Sequence, residues 1–140
     1  MFRDLKEYQS LRNIYENYVY SSDRDKQFVK YLEEQDFSDK EIDNSKNSYN
    51  KALYFSKRFA GKEAFWKAVS PNKENTLHFN EIEILSNENG KPYVNLIGRT
   101  KNRVSDLEKS LNCKLNFHIS ISDEKPNALA FVIIFLAQLD

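Results

Sequence analysis

Glu63 and Lys67 stand four residues apart in a stretch, residues 49–69, where Ala52, Leu53, Ser56, Phe59, Ala60 and Ala64 mark one continuous stripe of a helix that Pro71 ends. Extending the stripe past Phe59 and Ala60 brings in Glu63 and then Lys67, so a carboxylate points towards the interior. Burying an isolated ion costs roughly several kcal/mol, so Glu63 needs a cation, a shifted pKa or a solvent-filled cleft. The plainer alternative is an i,i+4 pair with Lys67 at the rim of the core, worth about 0.3–0.5 kcal/mol if exposed. Spacing alone favours that pair.

His118, Ser120 and Ser122 raise a similar choice. They alternate with Leu115, Phe117, Ile119 and Ile121, so the polar set, with Asn116, shares one face of a strand and the apolar set the other. Such a polar face is usually solvated, and a lone histidine is more often a structural hydrogen-bonding group than a catalyst. Other chemistry is unsupported. His78 has no neighbours at metal-ligand spacing, no glycine-rich loop could cradle a phosphate, and no serine sits in a nucleophile elbow. Arg24-Asp25-Lys26 and Glu33-Glu34 read as solvated helix faces, and the aromatic stripe through Phe59 as core.

The elements that must position these residues follow from periodicity. Within the first 35 residues, Leu5, Tyr8, Leu11 and Tyr15, then Phe28, Tyr31 and Leu32, fall at helical intervals and predict two packed helices. Residues 36–51 are a polar connection, in which Ser38 followed by Glu41 is a capping-box pattern for a short helical turn after Phe37. The 49–69 helix is the central element. Ile82 and Ile84 alternate with glutamates, Asn89-Gly90 signals a tight hairpin turn, and residues 93–97 supply the returning strand. Val104, Leu107 and Leu111 mark a further helix that stops near Asn112. The His118 strand follows, residues 123–127 turn the chain, and residues 128–136 form a continuously apolar strand, as expected where both faces are buried. The fold class is α+β: one domain, residues 1–140, with a small antiparallel sheet packed on a long central helix.

Composition bounds the function. The 140 residues carry 21 basic and 21 acidic side chains, and this neutral balance disfavours general DNA or RNA binding. Residues 1–50 sum to minus three and residues 51–140 to plus three, so the later part holds the positive character. Ten Phe and eight Tyr can build a real core, and only three Pro and three Gly argue against disorder. Cys113 has no second thiol for a disulfide or a metal cluster, which suits a reducing, cytoplasmic location. No apolar signal core opens the chain, and the longest apolar run, residues 128–137, falls short of the roughly 20 residues a bilayer span needs, so export and membrane spanning are not expected.

Taken in order, Arg58-Phe59-Ala60-Gly61-Lys62-Glu63-Ala64-Phe65-Trp66-Lys67-Ala68, then Asn87-Glu88-Asn89-Gly90-Lys91-Pro92-Tyr93-Val94, then His118-Ile119-Ser120-Ile121-Ser122 and Ala130-Phe131-Val132 resemble the holo-acyl-carrier-protein synthase family, the small 4'-phosphopantetheinyl transferases. The first motif is similar to the family's phenylalanine-alanine-alanine-lysine-glutamate signature. The resemblance implies transfer of the phosphopantetheine arm from coenzyme A to a serine of an apo acyl carrier protein with Mg²⁺, releasing adenosine 3',5'-bisphosphate, in the service of fatty acid biosynthesis. On it, Glu63 is a metal ligand, Lys67 neutralises pyrophosphate charge, and His118 serves binding or proton handling beside coenzyme A. Arg58 contacts the nucleotide end, and Gly90, Lys91 and Pro92 line the adenine pocket.

The resemblance also makes Asp4 the second metal ligand, although Phe2 stands where the family has a glycine and the first strand is cut short. Ser70-Pro71-Asn72-Lys73 replaces a glycine-rich turn, and Asp123 replaces a second histidine. Relatives of this size assemble as homotrimers with active sites between subunits, and Lys6 and Arg12 are placed to meet an acidic carrier protein. The competing reading is a non-catalytic homologue that binds coenzyme A or the carrier protein through an incomplete metal site.

Overall fold

Ser38 starts the first helix of the described residues by closing a capping box. Its hydroxyl accepts from the Glu41 amide at 3.2 Å while the Glu41 carboxylate accepts from the Ser38 amide at 3.1 Å, which starts α1 (Asp39–Ser45) as the Ser-x-x-Glu spacing predicts. The computed structural model describes residues 36–69, 77–124 and 127–138. The helices expected in the first 35 residues, together with Asp4, Lys6, Arg12 and the Ser70 to Lys73 turn, lie outside them.

The central helix is α2 (Lys51–Val69), capped by the Asn50 side chain, which accepts from the Leu53 amide at 3.0 Å. A 3-10 turn (Phe79–Glu81) leads into β1 (Ile82–Ser86), which pairs antiparallel with β2 (Pro92–Leu96) so that Ile84 faces Val94 and Ser86 faces Pro92. The helix α3 (Gly98–Leu111) follows, then β3 (Cys113–Glu124) and β4 (Asn127–Gln138), a second antiparallel pair in which Ile119 faces Val132. Among the described residues, two two-stranded sheets and three helices give the expected α+β class.

The core sits between α2 and the two hairpins. Phe65 meets the Phe117 ring edge-on at 4.9 Å, and Ile82, Ile84, Leu115 and Ile119 close around it. Small residues let the helix approach. Ala60 and Ala64 lie against Ala130, and a Cβ on Gly61 would sit 3.0 Å from Ile119 Cδ1, a contact close enough that the isoleucine side chain would have to shift slightly.

Three details go beyond the sequence pattern, and one expectation needs correction. The hairpin turns at Asn89-Gly90 as expected, within a five-residue connection: Asn87 to Lys91 join the strands, the Asn87 carboxamide oxygen accepts from the Asn89 and Lys91 amides at 2.9 Å each, and only Gly90 of this turn takes a positive φ, 80°. The one glutamate within β1 is covered by the start of α1. Glu83 is 5 % exposed, accepting from the Ser38 hydroxyl at 2.6 Å and from the Asn95 side-chain amide at 2.8 Å.

The helix marked by Val104 begins at Gly98, where no local side chain caps it; the Glu81 carboxylate instead accepts from the Thr100 amide at 2.9 Å and its hydroxyl at 2.8 Å. It ends as expected at Asn112, whose left-handed φ of 52° suits asparagine. Finally, β4 is not buried on both faces. Ala128 and Ala130 are fully covered, but Phe131, Ile133, Phe135 and Leu136 are 60, 41, 53 and 62 % exposed. Among the described residues no helix is long and apolar enough to cross a membrane.

Candidate functional site

Glu63 is half-buried on α2, with its carboxylate 3.5 Å from the Lys67 ammonium one turn on, and the lysine is about half exposed. The expectation of an inward carboxylate is thus corrected for Glu63, which lies at the edge of the core and makes the i,i+4 pair. The inward charge on this helix belongs to its neighbour. Lys62 is fully buried and donates to the Glu41 carboxylate at 2.6 Å and to the carbonyls of Phe79 and Ile82 at 2.7 and 2.6 Å. Burial pushes the Glu41 carboxyl above its ordinary value against the pull of Lys62, and burial likewise pulls the Lys62 ammonium down.

Arg58 lies one turn before Lys62. Its guanidinium sits over the Tyr54 ring, 3.6 Å from the centroid, and Nη1 donates to the Tyr54 carbonyl at 3.3 Å. Its buried Nε has no hydrogen-bond partner among the described residues. Burial lowers its pKa, opposed by Tyr54 and Glu41.

Arg58 floors an open cleft of about 510 Å³. Its walls are the connection from α1 to α2, including Asn44 and Ser48, the first half of α2, including Tyr54 and Lys57, and the end of β1 at Leu85 and Ser86. Lys57 reaches the Asp123 carboxylate at 3.6 Å, so the residue that departs from the family pattern on β3 engages a cation of the cleft. A cavity of this size with two cations and many amide and hydroxyl groups suits a polar ligand bearing phosphate.

The other sequence candidates are distributed as follows. Ser86 at the cleft rim pairs with Pro92, which places Gly90 and Lys91 on the exposed turn just beyond it. His118 is exposed on the outer face of the β3–β4 sheet, opposite Ile133 in register and edge-on to the Phe135 ring at 5.3 Å. The helix α2 packs on the inner face through Ile121 and Val132, so the sheet separates His118 from Glu63 within one copy of the chain. The structure therefore joins Arg58 to the hairpin end and Glu63 to Lys67, but does not bring His118 to either. Asp4 lies outside the described residues.

Glu41 and Lys62 were missed by sequence reasoning. Glu41 was read as a local cap alone, and Lys62 was passed over for its neighbour; the available signal was the run Tyr54, Arg58, Lys62 at four-residue spacing, a polar stripe on a helix already assigned to the core.

The two-hairpin α+β scaffold thus carries a half-buried carboxylate, a lysine one turn on and an arginine-floored cleft. Comparison places this arrangement in a family: residues 16–129 match the family model of the 4'-phosphopantetheinyl transferase superfamily. A holo-[acyl-carrier-protein] synthase from Zymomonas mobilis is 40 % identical over 108 residues, 76 % of this chain and 77 % of that protein. The crystal structure of holo-[acyl-carrier-protein] synthase from Neisseria meningitidis shares the fold, with a TM-score of 0.71 at 24 % identity over 96 % of this chain and 94 % of that one. The ACPS-CoA complex from Chronobacterium ammoniagenes matches with a TM-score of 0.65 at 26 % identity over 75 % and 81 % of the two chains. The chain belongs to the 4'-phosphopantetheinyl transferase superfamily and is an enzyme of phosphopantetheinyl transfer.

Proposed function

We propose that the enzyme transfers 4'-phosphopantetheine from coenzyme A to the serine hydroxyl of an apo acyl carrier protein, with Mg²⁺, at a site shared between copies of the chain. The observation that carries this reading is the Glu63–Lys67 pair, one face of α2 away from the Arg58 cleft, inside the motif that matches the family. Arg58 and Lys57 hold the nucleotide phosphates, with the hairpin turn at Gly90, Lys91 and Pro92 against the base. Lys67 is exposed enough to leave Glu63 and meet the diphosphate as negative charge gathers on the leaving group.

Magnesium suits Glu63, since that ion binds through one or two carboxylates plus substrate phosphates and water, and when bound it supplies charge neutralisation at the diphosphate. Among the described residues no group of three or more His, Cys, Asp or Glu side chains forms a metal cage, and on this reading substrate and Asp4 would complete the site. In the transfer, the serine oxygen bonds to the phosphorus that carries pantetheine, the bond from that phosphorus to the bridging oxygen breaks, and adenosine 3',5'-bisphosphate leaves with the electron pair. The serine proton passes to a base at that end, His118 or a neighbouring carboxylate, and His118 otherwise serves binding there.

His118 reaches such a site only from another copy. The exposed Phe131, Ile133 and Phe135 share its face, an apolar surface suited to a homotrimer contact that carries His118 to a neighbour's Glu63. A reducing, cytoplasmic setting and a role in fatty acid biosynthesis accord with this reading.

Intact-mass analysis tests the transfer. Purified protein with coenzyme A and Mg²⁺ adds a phosphopantetheine mass to apo acyl carrier protein, and Glu63→Gln reduces the rate at least about 100-fold. Unchanged turnover in that variant removes Glu63 from the site, whereas coenzyme A binding without any transfer by the wild type identifies a non-catalytic binder.

A further inference from the structure

Lys62 lies beside Glu63 in the motif, yet its ammonium cannot touch a ligand. It is fully buried, and its three N–H donors are all used, on the Glu41 carboxylate and the carbonyls of Phe79 and Ile82. The Phe37 ring centroid lies 5.0 Å from it. Glu41 is equally committed. Its carboxylate accepts from Lys62, from the Ser38 amide at 3.1 Å and from the Ile84 amide at 3.1 Å, and its backbone carbonyl accepts from the Tyr54 hydroxyl at 3.0 Å.

These bonds meet at the joint of the cleft walls. Glu41 belongs to α1, whose continuation through Asn44 and Ser48 makes one wall. Tyr54 and Lys62 belong to α2, which makes the floor with Arg58 between them on the same face. Ile84 is followed directly by Leu85 and Ser86, the third wall. A buried ion pair is weak evidence for stability, since apolar replacements of similar volume are often as stable, so its value is sought in the geometry it imposes.

We infer that Glu41 and Lys62 are a positioning pair for the donor substrate: their buried bonds hold α1, α2 and β1 at the spacing that shapes the Arg58 cleft. The inference rests on the reading of that cleft as the coenzyme A nucleotide site.

Kinetics of the full-length enzyme test it with Lys62→Met, the double variant Glu41→Gln/Lys62→Met, and Tyr54→Phe, which removes the hydroxyl that bonds the Glu41 carbonyl and also interacts with Arg58 in the cleft. In Lys62→Met the KM for coenzyme A rises about 10-fold while the KM for apo carrier protein stays within about twofold. The double variant removes the uncompensated buried carboxylate, so its thermal midpoint recovers, but its KM for coenzyme A remains raised. Tyr54→Phe raises the same KM about threefold.

A KM for coenzyme A that returns to the wild-type value together with stability in the double variant overturns the inference, as does an equal rise for both substrates. Should Lys62→Met not fold, an unchanged KM in Tyr54→Phe overturns it alone. Arg58→Ala separates the two levels: if that variant keeps the wild-type KM for coenzyme A, the cleft is not the nucleotide site, whatever the pair does to its walls.

Discussion

Lys62 and Lys67 lie on one helix and do opposite things. The first spends every donor inside the protein; the second is about half exposed and paired with Glu63 at 3.5 Å, a contact that contributes little to stability and is readily exchanged for a substrate anion. Lys67→Ala is therefore expected to lower kcat about 10- to 100-fold while the thermal midpoint stays unchanged, measured by transfer kinetics beside calorimetry. A large loss of stability in that variant would show Lys67 to be part of the core. Sequence made Glu63 and Lys67 legible as a pair because four-residue spacing fixes a helix face. Which neighbouring charge went inward was not legible, because burial of Lys62 depends on Glu41 arriving from α1 and on two carbonyls from the chain around β1.

At the level of elements, distant groups set what local patterns could not. The stripe of α2 and the alternation of β3 were readable because each element buries one side, whereas α3 begins earlier than its apolar residues indicate because Glu81 caps it from outside the helix. Gly98 makes this cap possible: its φ is +60°, and a Cβ there would lie 2.5 Å from Glu81 Oε1. Gly98→Ala is expected to destabilise the protein by about 1–3 kcal/mol in denaturant unfolding. Partial burial raises the Glu81 pKa, but hydrogen bonds from Thr100 and the Arg99 amide outweigh it and hold the carboxyl below its ordinary value of 4.5. A group with a depressed folded pKa stabilises fully above the unfolded value and loses that contribution as pH falls through the folded one. The thermal midpoints of wild type and Glu81→Gln should accordingly differ at neutral pH and converge as the solution is acidified below about 4.5. The exposed face of β4 departs from expectation for a related reason: a run apolar on both sides predicts two covered faces, and the described residues supply only one cover.

At the scale of the molecule, that open face and the displaced histidine are one problem. Phe131, Ile133 and Phe135 surround a His118 that the sheet keeps away from Glu63, and the proposed homotrimer, with a second copy seated there, would resolve both. Ile133→Glu, directly opposite His118 in register, is expected to yield a monomer by light scattering and to lose transfer activity with it. Cooperation between one copy's Glu63 and another's His118 is measured most directly by mixing two inactive variants, Glu63→Gln and His118→Ala, under conditions that exchange subunits, and following phosphopantetheine transfer to apo acyl carrier protein. Activity should reappear in the mixture, because some interfaces then hold an intact Glu63 facing an intact His118. Mixed assemblies that form and remain as inactive as either parent, or a His118→Ala variant with full activity from the start, would contradict a shared site.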